Sequence, residues 1–157
     1  MGNSFLVSSS TVVPVDPETA FQGLLDAPLE RLLPHRSGPL PAIVRCEGQD
    51  GAWSSVGQTR TVVLSDGTGN LETLVGLERP SDYRYRITGI EGPFKLLVSS
   101  IDGRFTFAPE GDGTRATWSW ELHGRNPAAR LAFPVLGFFW RRWATGMWTN
   151  FASLVTT

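Results

Sequence analysis

The sequence predicts an α+β fold in which helices cover one face of an antiparallel sheet of seven strands. Three observations predict it. Short alternating segments separated by glycine- and proline-containing turns run through the middle of the chain, as expected for strands joined by hairpins. Residues 126–157 carry apolar side chains at helical spacing. Two short helical segments follow the first predicted strand.

The N-terminal part is predicted to hold one strand and the two short helices. Residues 4–13 alternate and are rich in small and β-branched side chains, which is typical of a strand. Asp16, Pro17 and Glu18 then favour a helix start, because aspartate caps, proline suits the first helical position and glutamate complements the N-terminus. A second short helix is predicted over residues 28–33, ending at Pro34. The buried face of the first helix is predicted to be Ala20, Phe21, Leu24 and Leu25.

Six further strands are predicted in hairpin succession. Residues 66–69 and 110–113 have the composition of hairpin turns. Gly103 suggests a bulge at Asp102 and Gly103 within the fifth of these strands. The predicted strands cover residues 43–47, 58–65, 70–79, 83–88, 94–108 and 114–123.

The closing helix has the most distinctive pattern in the chain. Its apolar stripe has steps of three and four residues, which is the seam of an amphipathic helix. Pro134 lies near its beginning, so we expect a short helix to about Phe133, a kink or break, and then the long helix. The stripe consists of Phe133, Leu136, Trp140, Trp143, Met147, Phe151 and Leu154.

Composition narrows the class of protein. At 157 residues the chain is predicted to be a single domain, residues 1–157. The net charge is −1 with no run of like charge, which argues against a nucleic-acid partner. Cys46 is the only cysteine, so no intramolecular disulfide can form. The first ten residues lack a secretory signal pattern and the apolar run 131–140 is too short to span a bilayer, which together predict a soluble, cytoplasmic protein.

Several segments of the sequence together resemble the START-like superfamily, also called the polyketide cyclase/dehydrase or SRPBCC superfamily. The similarity covers nearly the whole chain, and the order and spacing of its pieces carry it. The pieces are residues 16–21 (DPETAF), 32–34 (LLP), 56–60 (VGQTR), 77–80 (LERP) followed by 83–85 (YRY), and 113–118 (GTRATW).

The resemblance implies a helix-grip fold, in which a curved seven-stranded antiparallel sheet wraps around the long C-terminal helix. It also implies a deep cavity between the two. Members of the superfamily range from carriers of hydrophobic ligands to cyclases, dehydratases and hormone receptors, and they share no catalytic signature. The resemblance therefore predicts a fold and a cavity, not an activity.

Aromatic and sulfur-containing side chains are the candidate ligand contacts. Each of them could equally be ordinary core packing of a helix on a sheet, but their number and bulk suggest a cavity wall, because ligand sites are mostly apolar with a few polar anchors. Such a wall favours a flat or polycyclic molecule, and the family resemblance implies an aromatic, polyketide-like or lipid-like one. The candidates are Tyr85, Phe105, Trp118, Trp120, Trp140, Trp143 and Met147.

The charged residues of the predicted sheet have two interpretations. Arg60, Glu72, Arg84 and Arg86 lie on neighbouring strands, and we expect them to face outward as exposed pairs, although an inward pair could bind a carboxylate or polarise a carbonyl. Strand parity places His123 on the face opposite Trp118. His35 is expected near the cavity mouth. The two histidines and Cys46 lack zinc spacing, so no metal or other cofactor is predicted.

Two functions remain open at this point. The first is binding of a small hydrophobic molecule, and the second is an aromatase/cyclase or dehydratase acting on a polyketide-like substrate in the same cavity. A nucleophile elbow, a dinucleotide-binding glycine motif and a P-loop are all missing from the sequence. Aromatic residues beside Arg141 and Arg142 also suit a membrane interface, but the stripe is needed to cover the sheet, so membrane contact is disfavoured. The sequence predicts no oligomeric state.

Overall fold

The computed structural model describes residues 3–157. Within these residues, seven strands and three α-helices follow the predicted order, which confirms the α+β fold. Two short 3-10 helices, Pro93–Leu96 and Pro127–Leu131, add to it. The strands are β1 (Ser4–Val13), β2 (Ile43–Glu47), β3 (Thr59–Leu64), β4 (Gly69–Glu78), β5 (Asp82–Thr88), β6 (Val98–Glu110) and β7 (Gly113–Gly124); the helices are α1 (Pro17–Asp26), α2 (Leu29–Leu32) and α3 (Phe133–Val155).

All seven strands form one antiparallel sheet in the order β1-β7-β6-β5-β4-β3-β2. From β2 to β7 each strand pairs with its neighbour in sequence, so the predicted hairpin succession is confirmed. β1 pairs with β7 over its full length, from Ser4 opposite His123 to Val13 opposite Thr114. The first and last strands of the chain are therefore adjacent, and the sheet's inner face is left for the helices to cover.

Helix α3 covers that face along its apolar stripe. Six of the seven predicted stripe residues are buried, and Leu154 is half-buried near the helix end. Hydrogen bonds fix α3 to its surroundings: Asn150 Nδ2 donates to Leu32 O at 3.1 Å, and Trp148 Nε1 donates to Ser9 Oγ at 3.0 Å. The helix is thus tied to α2 on one side and to β1 on the other.

Pro134 lies in the first turn of α3 and does not kink the helix. The expected short helix, break and long helix are present, because residues 127–131 form a 3-10 helix and α3 starts at Phe133. The prediction was wrong only in placing the break at the proline, since it lies at Ala132. A proline in the first turn removes a donor that has no intrahelical partner there, so the helix tolerates it.

Two predictions about β6 were also wrong. Residues 94–97 are not part of the strand, because Gly92 adopts φ 77° and Pro93 then begins a 3-10 helix. No bulge occurs at Asp102 and Gly103, where pairing with both neighbouring strands is continuous. The register shift of β6 instead lies between Val98 and Ser100.

Among the described residues, no helix is long and apolar enough to cross a membrane. Met1 and Gly2, part of the segment used for the localisation prediction, lie outside the described range.

Candidate functional site

A cavity of about 440 Å³ lies between the concave face of the sheet, helix α3 and the segment that follows α1. This volume is within the range of small-molecule sites in proteins. Most of its lining is apolar. Its inner wall comprises Leu24, Leu32, Ile43, Val62, Tyr83, Tyr85, Ile87, Ile101, Phe105, Trp118, Trp120, Leu136, Trp143 and Met147.

Strand alternation builds the aromatic wall. Trp118 and Trp120 are two apart on β7, so both side chains point to the concave face. The ring of Phe105, the register partner of Trp118 on β6, is parallel to it at a centroid distance of 5.5 Å. Trp143, on α3, packs against both rings: its centroid lies 6.0 Å from that of Trp118 and 5.7 Å from that of Trp120. These flat surfaces suit an aromatic molecule.

Six of the seven predicted contact residues line this cavity, and Trp140 is the exception. Trp140 is 1% exposed and lies behind the wall, 4.7 Å from the Trp118 ring centroid and 6.0 Å from that of Trp120. Its position is that of a core residue supporting the wall. Its indole nitrogen has no hydrogen-bond partner within residues 3–157.

Tyr85 lines the cavity and is hydrogen-bonded to both sheet tryptophans. Its hydroxyl oxygen accepts hydrogen bonds from Trp118 Nε1 at 2.8 Å and from Trp120 Nε1 at 2.9 Å. The phenol ring crosses β6 at Gly103, where any Cβ atom would overlap it. Burial raises the pKa of Tyr85 well above that of a free phenol, so the hydroxyl keeps its proton. No acceptor for that proton is found in the described part of the chain.

Arg60 and Glu72 face the cavity, contrary to the outward orientation predicted for them. They are register partners on β3 and β4, are 6% and 3% exposed, and are joined by a bond of 3.1 Å between Arg60 Nη2 and Glu72 Oε2. Burial favours loss of the arginine charge, but the surrounding groups, chiefly the Glu72 carboxylate, together outweigh it and the pKa of Arg60 is raised. The site therefore contains a compensated cation and anion. Arg84 and Arg86 are exposed, as predicted.

Tyr83 and Trp53 complete the surroundings of this ion pair. Tyr83 OH donates to Glu72 Oε2 at 3.2 Å and accepts from Trp53 Nε1 at 2.8 Å. The Arg60 guanidinium lies 4.0 Å from the centroid of the Trp53 ring, and its Nη1 donates to Gln49 Oε1 at 3.1 Å. Arg60 Nε and Asn70 Oδ1 are buried without a partner among residues 3–157. A ligand could satisfy these atoms, because Arg60 and Asn70 both line the cavity.

The mouth of the cavity is polar. Arg36, Asp66, Glu91 and Pro93 line it and are exposed, whereas the deeper lining is buried. The segment after α2 forms one side and is held to α3 by two bonds, from Trp143 Nε1 to His35 O at 3.2 Å and from Ser37 Oγ to Phe139 O at 2.8 Å. His35 itself lies beside a smaller depression outside the main cavity.

Cys46 gives a test of burial near the ion pair. Desolvation raises the pKa of this half-buried thiol to about 11. At pH 8 the thiolate fraction should then fall from about a quarter for an ordinary cysteine to about one in a thousand. We expect alkylation by iodoacetamide to be on the order of 100-fold slower in native protein than in urea. Equal rates in the two states would contradict the burial of this thiol.

The convex face of the sheet carries a separate polar cluster. His123 Nε2 and Asp102 Oδ2 are 2.7 Å apart, and Arg86 Nε donates to Asp102 Oδ1 at 2.8 Å. Possible metal-ligand atoms of Asp102, Glu121 and His123 lie within 4.8 Å of one another, a grouping that sequence spacing did not predict. Both oxygens of the Asp102 carboxylate are already hydrogen-bonded, one to Arg86 and the other to His123. The cluster lies outside the cavity.

Sequence reasoning missed two buried tryptophans. Trp53 lies in a polar loop but is 3% exposed, and a lone tryptophan among polar residues was the available signal. Trp148 falls outside the helix stripe, yet it packs edge-on against Phe105 at 6.0 Å. Trp148 lies three residues before Phe151, and this helical spacing could have indicated that the buried face of α3 is wider than predicted.

A family model described as polyketide cyclase/dehydrase and lipid transport matches residues 4–156. The chain belongs to this family. Family membership agrees with the cavity and the START-like resemblance, and it includes both catalytic and carrier proteins by its description. No curated protein matches this family member in sequence.

Solved structures establish the shared fold. Norcoclaurine synthase from Thalictrum flavum, in complex with dopamine and hydroxybenzaldehyde, aligns with a TM-score of 0.72 at 15% identity, over 99% of this chain and 88% of that one. Major latex-like protein 151 from Panax ginseng aligns with a TM-score of 0.67 at 16% identity, over 97% of each chain. The protein TTHA0849 from Thermus thermophilus gives 0.70 at 17% identity, again over 97% of each. These neighbours are consistent with the helix-grip fold.

Proposed function

We propose that this protein binds a small, flat, largely apolar molecule in the cavity between the sheet and α3. The observation that carries the proposal is the aromatic wall of Phe105, Trp118, Trp120 and Trp143 around a space of about 440 Å³. Ligand sites of this kind gain affinity from buried aromatic surface and gain orientation from a few polar groups. Family membership supports a hydrophobic ligand.

Tyr85 is the proposed polar anchor for the ligand. The Tyr83 hydroxyl accepts a hydrogen bond from Trp53 and donates one to Glu72, so both of its hydrogen-bonding roles are already filled by protein groups. Tyr85 accepts two bonds from protein and keeps a proton to donate. The ligand should therefore carry an acceptor such as a carbonyl, ether or hydroxyl oxygen.

The ligand is proposed to be uncharged. The Arg60 cation is already paired with Glu72, so a ligand carboxylate near the pair would meet an anion as well as a cation. Moving an uncompensated charge into an apolar cavity costs several kcal/mol, whereas a neutral oxygen does not carry that penalty. Flat neutral aromatic compounds with an oxygen acceptor are the class that satisfies both conditions.

Occupation of the cavity can be tested with prodan, a neutral naphthalene dye that carries a ketone. Wild-type protein should enhance its fluorescence saturably at one dye per chain. Ile87→Trp, which fills the cavity from β5, should weaken binding by tenfold or more, whereas Val75→Trp on the outward face of β4 should leave it unchanged. Equal binding by both variants would contradict the proposed site.

A second probe separates the anchor from the apolar wall. Tyr85→Phe removes the free donor and also the acceptor of the Trp118 and Trp120 indole N–H groups. Prodan affinity should therefore fall about fivefold more than that of a dye without a ketone, the value of one hydrogen bond of about 1 kcal/mol. N-phenyl-1-naphthylamine has no ketone, so its affinity for the same variant reports the altered wall alone. An equal loss for both dyes would show that Tyr85 acts through packing alone.

Catalysis in the same cavity is the second candidate, favoured by the convergence of Arg60, Glu72 and Tyr83. Arginine can polarise a carbonyl and glutamate can accept a proton in cyclisation or dehydration. Glu72 Oε2 is already bonded to both neighbours, so a substrate would have to displace one of them before Glu72 could act as a base. Cyclisation of a linear poly-β-ketone that Glu72→Gln abolishes, with prodan binding retained, would support an enzyme.

A further inference from the structure

We propose that the beginning of α3 and the adjoining 3-10 helices form a face that docks on an anionic membrane surface. This docking face consists of exposed apolar side chains surrounded by arginines, and it lies beside the cavity mouth. It is distinct from the ligand site, and its test does not depend on what the cavity binds.

The apolar part of the docking face is not used by the core. Leu131 is 85% exposed, Val135 57% and Phe138 54%, while Leu96 on the first 3-10 helix is 64% exposed. The sequence disfavoured membrane contact because the apolar stripe of the helix is needed to cover the sheet. That stripe faces inward through Leu136, Trp140 and Trp143. Val135 and Phe138 lie outside it and remain free for another partner.

Charge is distributed unevenly along the chain. Residues 122–157 contain Arg125, Arg130, Arg141 and Arg142 and no acidic residue, while residues 1–121 carry a net charge of −5. Within the described range, none of these four arginines forms a salt bridge. The Arg142 guanidinium lies 5.8 Å from the centroid of the exposed Phe138 ring. Apolar side chains interleaved with unpaired arginines are the composition of surfaces that bind anionic bilayers.

The docking face is continuous with the cavity mouth. Leu97 and Leu136 line the cavity, and their sequence neighbours Leu96 and Val135 are exposed. The Arg125 side chain donates to Lys95 O, which ties the first 3-10 helix to the segment preceding the second. Phe139 packs against Gly38 of the segment that borders the mouth. A bilayer contacting this face would therefore lie next to the opening.

The chemistry of the face favours a membrane over an acidic protein. Its apolar side chains, Leu96, Leu131, Val135 and Phe138, are exposed on helical segments. Arginines beside an exposed phenylalanine suit the interfacial region, where the ring enters the acyl boundary and the cations meet headgroups. The contact is peripheral, since no described helix could span the bilayer.

Vesicle sedimentation tests the proposal with the full chain. At about 0.1 M salt, where surface charges are only partly screened, wild-type protein should pellet with vesicles of roughly 70% phosphatidylcholine and 30% phosphatidylglycerol and bind pure phosphatidylcholine at least tenfold more weakly. Arg141→Gln/Arg142→Gln should weaken binding to the anionic vesicles by tenfold or more, because each arginine near such a surface contributes about fivefold. Val135→Ser/Phe138→Ser should weaken binding to both compositions. The control Arg45→Gln/Arg84→Gln, which removes two exposed cations elsewhere, should bind like wild type.

Three results would overturn the proposal. Wild-type protein could fail to pellet with anionic vesicles, or the control could lose as much affinity as Arg141→Gln/Arg142→Gln, which would indicate a non-specific charge effect. A concentration-dependent dimer that Val135→Ser/Phe138→Ser abolishes, without vesicle binding by wild type, would assign the face to a second copy of the chain. All substituted residues are exposed, so thermal unfolding of each variant should match wild type.

Discussion

Replacing Glu72 with leucine is expected to destabilise the protein by about 3–5 kcal/mol, because the change leaves the Arg60 cation buried without its anion. Arg60 is 6% exposed, and its other contacts, the Gln49 amide and the Trp53 ring, carry no compensating charge. The free energy of unfolding from urea titration, followed by tryptophan fluorescence, measures the loss. A loss below about 1 kcal/mol would show that Arg60 reaches solvent.

A double substitution distinguishes charge burial from loss of packing. Arg60→Met/Glu72→Leu removes both charges and keeps the volume apolar, so it should recover most of the stability lost by Glu72→Leu alone. Arg86→Gln is the surface comparison, because its pair with Asp102 is about half exposed on the arginine side and should contribute less than about 1 kcal/mol. A double variant no more stable than Glu72→Leu would contradict a buried ion pair.

Gly103→Ala is expected to destabilise the protein by about 3 kcal/mol. A Cβ atom at this position overlaps the Tyr85 ring, so the phenol must move from the strand surface. Overpacking of this kind costs about 1–3 kcal/mol, and displacement of the hydroxyl also leaves the indole N–H groups of Trp118 and Trp120 without their acceptor. Urea unfolding gives the magnitude, and near-UV circular dichroism should report the altered tryptophan environment.

Gly146→Ala is the matched control for that substitution. Gly146 lies on the exposed side of α3, where an added Cβ atom meets nothing within 4 Å. Alanine is favoured over glycine in a helix by up to about 1 kcal/mol, so this variant should be as stable as wild type or more stable. If both alanine variants left stability and prodan binding unchanged, the Tyr85 ring could not lie across Gly103.

The strand order and helix positions were predictable because local signals agreed with one another. Asp16 and Pro17 begin α1 as expected, since Asp16 accepts a hydrogen bond from Thr19 N at 3.4 Å and proline holds the first turn. The turns at residues 66–69 and 110–113 join strands that pair with each other, as expected for hairpins. Alternation along β7 placed Trp118 and Trp120 on the inner face without any tertiary information.

The inward ion pair could not be predicted because its stability depends on a partner twelve residues away. Arginine and glutamate are rarely buried singly, so each residue alone favours the outer face. Only the β3–β4 register brings Arg60 opposite Glu72 and compensates both charges. The break before α3 was placed at Pro134 for a related reason, since the proline alone did not show that the preceding 3-10 helix ends at Leu131 and that the break lies at Ala132.

The different roles of Tyr83 and Tyr85 also depend on partners that are distant in sequence. Tyr83 and Tyr85 are both inward residues of β5, and their ring centroids are 5.6 Å apart. Tyr83 is satisfied by Glu72 and Trp53, whereas Tyr85 serves the two sheet tryptophans and keeps its proton. This difference makes Tyr85 the proposed anchor, and it was invisible in the sequence Tyr-Arg-Tyr.

Native mass spectrometry of protein purified from its own host tests the central claim most directly. Wild type should carry a non-covalent adduct of one neutral organic molecule, extractable into organic solvent, and Ile87→Trp purified in parallel should carry none. Its mass should fit a flat compound with at least one oxygen acceptor. Bare protein in both preparations together with no prodan binding, or the same adduct on wild type and Ile87→Trp, would contradict a ligand-binding cavity between the sheet and α3.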